Sequence, residues 1–304
     1  MRLSISSYNK YLSCNRLYYI EKVLGYKDIS PKPWLDFGSN FGELMAFVDV
    51  NGYKAGMKEA GRLFRDPFKA AEASYLLAKW HKQYSNDIEP VLDIEGVPGN
   101  EYPIELDLSH LVNDRFELIF VGFIDKVFEK DSEPMINERK TTSDVINERS
   151  AYWNVLNFDP QTVGYSWALS QILGTSVDKG TYEVFRKPSE AIDKTLFKKP
   201  KDPVEYKERL LNNIDKRVAR DAQMVARKPL FINDEMRDAW LHEFLMVAEE
   251  IHNKKLYMKE LPRPEYEWGR NKDTCDKYRG CIYRDYCGCK GRLEDIEMAV
   301  KEIK

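Results

Sequence analysis

The sequence contains no apolar run of eighteen residues, which argues against a membrane-spanning helix. It also lacks a Gly-x-Ser-x-Gly elbow, a Gly-x4-Gly-Lys-Ser/Thr loop and a His-Glu-x-x-His helix. These absences leave nucleophilic hydrolysis and zinc-protease chemistry poorly supported, and any helicase motor must lie on another chain. Histidine is scarce: His81, His110, His242 and His252 are the only four. Net charge is nearly absent too, because 47 Lys and Arg offset 50 Asp and Glu to leave −3. Binding to a polyanion must therefore come from a local basic surface. Candidates are Lys194, Lys198, Lys199 and Lys201, then Lys216, Arg217, Arg220, Arg227 and Lys228, although each taken singly reads equally as a solvated helix face. No secretory signal is seen, since Met1-Arg2-Leu3-Ser4-Ile5 runs straight into polar sequence; a reducing, cytoplasmic setting is expected.

The five cysteines are unevenly placed. Cys275, Cys281 and Cys287 recur at six-residue steps, Cys289 follows two residues later, and Cys14 stands alone near the other end. In a reducing setting such clusters bind metal or do redox work more often than they form disulfides. With no histidine in the cysteine-rich tail, thiolates alone would supply the ligands, which suits tetrahedral zinc or a cubane iron–sulfur cluster. The spacing is wide for a zinc knuckle and favours the cluster, with zinc or inert thiols as the other readings. Either Cys289 or Cys14 could be the fourth ligand.

The pattern along the chain reads as α/β: a central mixed sheet flanked by helices, with helical additions. With 43% apolar residues a sizeable core is available, and the absence of repeats or long linkers predicts one unit over 1–304. Helical spacing is read over Ser6–Leu24, Gly38–Val50, Tyr53–Phe64 and Pro67–Tyr84, which makes 1–90 a helical part carrying Cys14. Strand patterns follow at Val91–Glu95, Tyr102–Leu108, Phe116–Glu129 and Pro134–Arg139, with turns at Pro98-Gly99-Asn100 and Lys130-Asp131-Ser132. Asp159-Pro160 opens a helix through Leu173 with Asp as N-cap and Pro at the first position, and a strand is read from Gly180 to Phe185. These complete a sheet core over 91–190. A helical pattern from about Val204 to Lys259 occupies the part 191–262, and 263–304 is the cysteine-rich tail.

Asp125 and Glu138 fall on consecutive strand patterns, and a strand places Glu138 and Lys140 on one face with Arg139 on the other. Two carboxylates can hold a divalent ion beside an ammonium group, the equipment that phosphodiester hydrolysis needs. The Arg139 carbonyl lies beside them as a further oxygen. A Glu-x-Lys on a strand is common on solvated faces, but an Asp within the apolar run Phe123-Ile124-Asp125-Lys126-Val127 would be costly without a partner. Gln161 and Tyr165, at i and i+4, share a helix face. Taken alone, Gln161 reads as a capping side chain and Tyr165 as a core aromatic.

Together, Ser6-Ser7-Tyr8, Cys14-Asn15-Arg16-Leu17-Tyr18-Tyr19, Gly38-Ser39-Asn40-Phe41, Gly122-Phe123-Ile124-Asp125, Glu138-Arg139-Lys140-Thr141, Gln161 to Tyr165 and Asn271 to Cys287 resemble the PD-(D/E)XK nuclease superfamily. The resemblance is to the RecB-type branch with a C-terminal iron–sulfur cluster, as in AddB nucleases, CRISPR adaptation exonucleases and phage homologues. It implies a restriction-endonuclease-like fold and a Mg²⁺- or Mn²⁺-dependent DNA nuclease, acting as an exonuclease or end-processing enzyme in recombination, repair or phage DNA metabolism. A helicase or recombination partner protein is further implied. Asp125, Glu138, Lys140, Gln161 and Tyr165 would form the catalytic set. Cys14, Cys275, Cys281 and Cys287 would ligate a [4Fe–4S] cluster joining the N- and C-terminal regions, leaving Cys289 spare. Where many members of that branch carry a metal-binding histidine, this chain has Gly42; the adjacent Glu43 would supply an oxygen instead. The competing reading is a non-catalytic DNA-binding or adaptor subunit with a structural metal cluster.

Overall fold

A computed structural model describes residues 1–30, 33–156, 159–188, 202–210, 223–275, 280–297 and 299–301. In chain order the elements are β1 (Arg2–Ser4), α1 (Ile5–Ser13), α2 (Asn15–Tyr18), β2 (Tyr26–Asp28), α3 (Pro33–Asn51), α4 (Tyr53–Leu63) and α5 (Pro67–Tyr84). Next come β3 (Asp93–Ile94), β4 (Val97–Pro98), β5 (Asn100–Asp107), β6 (Ile119–Lys130), β7 (Glu133–Thr142), α6 (Tyr152–Leu156), α7 (Pro160–Leu173) and β8 (Lys179–Arg186). The last are α8 (Pro203–Arg209), β9 (Val225–Phe231), α9 (Asp234–Tyr257), α10 (Lys272–Cys275), α11 (Arg284–Cys287) and β10 (Ala299–Lys301). Six strands form a mixed sheet in the order β1-β6-β7-β8-β9, with β5 also paired to β6. No described helix is long and apolar enough to cross a membrane.

The chain divides into two compact units built from discontinuous segments. The larger comprises Lys32–Pro103 and Phe123–Arg237. Its core grows from the stripe Phe37, Phe41, Leu44, Met45 and Val48 on α3, an i, i+4, i+7, i+8, i+11 series that meets Leu76, Leu77 and Trp80 of α5 and Phe185 of β8. The adjoining edge of α3 is small: a Cβ on Gly38 would lie 3.0 Å from Thr141 Oγ1, so glycine lets the helix approach β7 closely. Gly38 thus lies inside the helix rather than at its start. β6 and β7 are antiparallel, with Lys126 opposite Asn137, and the turn between them places Asp131 and Ser132 at φ of 55° and 64°, the left-handed pair that suits a tight hairpin. β8 lies parallel to β7, and β9 antiparallel to β8.

β9 corrects the sequence reading, which assigned 204–259 to helices. Val225-Ala-Arg-Lys-Pro-Leu-Phe231 pairs along β8 and ends the sheet, where the missing N–H of Pro229 is tolerated. Arg227 and Lys228 are therefore strand residues. Arg227 is engaged by Glu183 and Asp87, and Lys228 lies 5.2 Å over the Trp153 ring. The other proposed basic positions, Lys194, Lys198, Lys199, Lys201, Lys216, Arg217 and Arg220, lie outside the described residues.

The smaller unit comprises Met1–Pro31, Ile104–Gly122 and Asp238–Lys304. β1 runs parallel to the start of β6, pairing Leu3 with Phe120. Ser4 caps α1 by accepting from the Ser7 amide. The helix expected over Ser6–Leu24 is interrupted at Cys14, whose backbone is extended at φ −164° and ψ 109°. The neighbours divert it: Ser13 Oγ donates to the Lys10 carbonyl at 2.9 Å and Asn15 Nδ2 to the Tyr11 carbonyl at 2.8 Å, local bonds that compete with helix continuation. The break frees the Arg16 amide to bond the Gly269 carbonyl at 2.9 Å and Arg16 Nε to bond that of Trp268 at 2.9 Å. Asn271 and Thr274 both donate to the Ser13 carbonyl at 2.9 Å. The first and last parts of the chain are thereby tied together around the fully buried Trp268, which stacks on Tyr18 and Tyr19.

Candidate active site

Within the larger unit, α3, β5, β6, β7 and β8 surround a cavity of about 790 Å³ lined by Gly42, Glu43, Glu101, Asp125, Lys140 and Lys187 among others. Asp125 reaches it from β6, and its Oδ2 accepts the backbone N–H of Arg139 at 2.7 Å. Burial pushes the Asp125 carboxyl above its ordinary range, against that hydrogen bond and the nearby Arg139 and Lys140 charges. Glu138, 3% exposed, is pushed up to about 8, first by burial and then by repulsion from Asp125, with Lys140 opposing.

Lys140 projects from the same face of β7 as Glu138. Its Nζ donates to Glu138 Oε1 at 2.7 Å and to Gln161 Oε1 at 2.8 Å, and Asp159 Oδ2 lies 3.3 Å away. Burial opposes the Lys140 charge, but Glu138 and Asp159 outweigh it and hold the ammonium above its usual range. Gln161 is therefore not a capping side chain. The cap is Asp159, which accepts from the Gln161 amide, with Pro160 next as the sequence suggested. Tyr165, 6% exposed, stands one turn further along α7; burial, and then the charge of Glu138, push its phenol up to about 12.

The opposite face of β7 carries a buried ionic network. Arg139 forms a bidentate pair with Asp49 at 2.7 and 2.9 Å and reaches Glu183 at 3.2 Å through Nε. Lys126 joins Asp49 at 3.2 Å, and Glu183 also accepts from Trp80 at 2.5 Å and Arg227 at 2.7 Å. The Asp49 and Glu183 side chains have no exposure. The network pins Arg139 by its side chain while its backbone N–H holds Asp125, so one residue joins the sheet interior to the cavity.

Sequence reasoning thus placed Asp125, Glu138, Lys140, Gln161 and Tyr165 in one neighbourhood and sent the Arg139 side chain to the other face. It missed Asp49, Glu183 and Glu101. The first two carry the signal that singled out Asp125, a lone carboxylate within an apolar run, in Phe47-Val48-Asp49-Val50 and Tyr182-Glu183-Val184-Phe185. Glu101 has a left-handed backbone at φ 48°, which no sequence pattern announces.

Among the described residues no three His, Cys, Asp or Glu side chains gather closely enough to hold a metal ion. Of the residues expected to hold the ion, Glu43 and Asp125 line the same cavity, with Glu43 exposed on α3. A Cβ on Gly42 would meet nothing within 4 Å, so packing does not demand glycine there. The donor chemistry fits a hard cation, because the buried Glu138 carboxyl, repelled by Asp125, gains from a divalent charge held by both carboxylates.

In the smaller unit none of the five cysteines forms a disulfide. Burial raises Cys281 and pushes Cys287 up to about 11, opposed in the latter by Arg16. Cys275 Sγ lies 3.5 Å from the Asn271 carbonyl. Cys14, Cys275, Cys281 and Cys287 are still close enough for their charges to interact. Cys289 is exposed with φ of 59°.

Solved structures similar to this chain include the following two. A protein from Eubacterium rectale, described as a candidate exonuclease, is 12% identical, with a TM-score of 0.46 over 90% of this chain and 86% of that one. The protein SSO0001 is 12% identical, with a TM-score of 0.27 over 69% of this chain and 75% of its own. No curated protein matches. Both scores fall below 0.5, and the assignment comes instead from the family model for PD-(D/E)XK nucleases, which matches residues 2–288 and so takes in the Asp125, Glu138 and Lys140 constellation. The chain belongs to the PD-(D/E)XK nuclease superfamily.

Proposed function

We propose that this protein is a divalent-metal-dependent DNA nuclease of the RecB-type branch, with Asp125, Glu138 and Lys140 as its catalytic residues. The observation that carries the reading is the Lys140 ammonium held by both Glu138 and Gln161 beside Asp125, since binding DNA alone needs no ammonium fixed between two carboxylates. Asp125 and Glu138, with the Arg139 carbonyl and Glu43 as further oxygens, would hold Mg²⁺ or Mn²⁺. When bound, the ion supplies a Lewis acid at the phosphate and an acidified water. Lys140 places its charge where negative charge develops on the phosphate, and Gln161 and Asp159 keep it aimed. The Arg139 amide fixes the Asp125 carboxylate, and Tyr165 supports the strand beside it.

The role within nucleases is that of an exonuclease or end-processing enzyme in recombination, repair or phage DNA metabolism, with the motor, where one is needed, on a helicase or recombination partner. Digestion of end-labelled linear and covalently circular DNA in Mg²⁺ tests it. Linear DNA should be consumed and circles spared; equal loss of both would make the enzyme an endonuclease.

Cys14, Cys275, Cys281 and Cys287 would ligate a [4Fe–4S] cluster. Four sulfurs within electrostatic reach, on segments already tied by the Arg16, Asn271 and Thr274 hydrogen bonds, support this set, and ligation would take up thiolates by displacing their protons. Such a staple spans roughly 260 residues, which by loop-closure entropy is worth on the order of 4–5 kcal/mol. Cys281→Ser should bleach the brown absorbance of anaerobically purified protein and lower its Tm. Colourless wild-type protein containing zinc, or an unchanged Tm in the variant, would contradict the cluster.

A further inference from the structure

The most exposed large apolar side chain on β6 stands next to the reacting groups. Phe123 is 60% exposed, whereas Phe120 and Val127 on the same strand are fully buried and Ile124 is 1% exposed. It precedes Asp125 by two residues, so the two side chains leave the strand on one face, about 6.6 Å apart along it. It lies within the strand Ile119–Lys130, so the ring is carried by a sheet strand rather than by a loop tip. Single exposed apolar residues are ordinary on protein surfaces. Phe123 differs in its position, because a phosphate held at Asp125 and Lys140 brings the adjoining nucleoside to this ring.

We propose that Phe123 is a specificity-determining residue, a stacking platform for the base next to the scissile phosphate. The inference rests on the nuclease reading and deepens it by naming the substrate class. Aromatic stacking needs a free base face, which a single strand or a frayed end offers and an intact duplex covers. Phe123 therefore selects DNA whose terminal bases are unstacked, without reading their identity.

The test measures binding, so that it remains separate from cleavage. In a Lys140→Ala background, in which cleavage is slowed so that binding is read before the DNA is consumed, the Kd of fluorescein-labelled oligothymidine in Mg²⁺ is compared for Phe123, Phe123→Ala and Phe123→Trp, with a scan of single abasic sites along the oligonucleotide. Phe123→Ala should weaken binding about 5- to 100-fold, and Phe123→Trp should retain it. One abasic position should reproduce the loss in the parent and have no effect in Phe123→Ala, a coupling that a merely structural role would not produce. An unchanged Kd in Phe123→Ala overturns the proposal. So does a loss that no abasic position reproduces, which would point to a surface for another protein. Failure of wild-type protein to cleave any DNA would sink the nuclease reading, and it would leave this coupling measurable.

Discussion

Lys140→Ala is expected to reduce DNA cleavage by about 10²–10³-fold, the usual effect of deleting one preorganised group that stabilises developing charge. The loss should fall on kcat, because the ammonium acts where charge grows during reaction. Folding should persist. Removing Lys140 leaves Glu138 without its cation, but the Glu138 carboxyl is already pushed up to about 8 and answers by keeping its proton rather than standing as a bare charge. Circular dichroism and a Tm within a few degrees of wild type would separate catalysis from stability. A Lys140→Ala protein that cleaves DNA at the wild-type rate would remove Lys140 from the mechanism.

Asp49→Ala should act in the reverse sense, through stability. Its carboxylate has no exposure and neutralises both Arg139 and Lys126, so its loss leaves Arg139 with Glu183 and Lys126 with the Glu89 carbonyl. Breaking one partner of a buried ionic network costs about 3–5 kcal/mol, or about 6–20 °C in Tm for a unit of this size. The same residue sets a pH dependence. Burial works against the Asp49 charge, yet Arg139 and Lys126 together hold its carboxyl below the ordinary 3.8. A depressed carboxyl contributes stability that is present above the unfolded value and lost as pH falls through the folded one. Wild-type Tm should therefore fall below about pH 4 more steeply than that of Asp49→Ala, as thermal melts across pH 3–7 would read. An Asp49→Ala protein as stable as wild type would show that the network is not held together by this carboxylate.

The parts of the molecule legible in sequence were those written in local pattern. Alternation and the Asp131-Ser132 turn marked β6 and β7, and Asp159-Pro160 marked the start of α7, so Asp125, Glu138, Lys140 and Gln161 could be brought together without coordinates. β9 was hidden because Pro229 and the charged pair Arg227-Lys228 break the look of a strand, and only pairing to β8 and the demand of Glu183 for a cation explain them. Asp49 and Glu183 were not foreseen because their meaning is non-local: 90 and 44 residues separate them from Arg139. The use of the interruption at Cys14 is likewise non-local, because the freed amide and side chain of Arg16 bond Gly269 and Trp268, far along the chain.

The central claim is that Asp125 and the buried Glu138, whose proton affinity Asp125 raises, are there to hold a divalent ion at a phosphodiester. The direct measurement is cleavage of labelled single-stranded DNA by wild-type protein and Asp125→Ala, after exhaustive chelation with EDTA and after restoring Mg²⁺ or Mn²⁺. Activity should vanish with EDTA, return with either ion in wild type, and stay absent in Asp125→Ala. Cleavage that survives chelation and the Asp125 substitution would contradict the account.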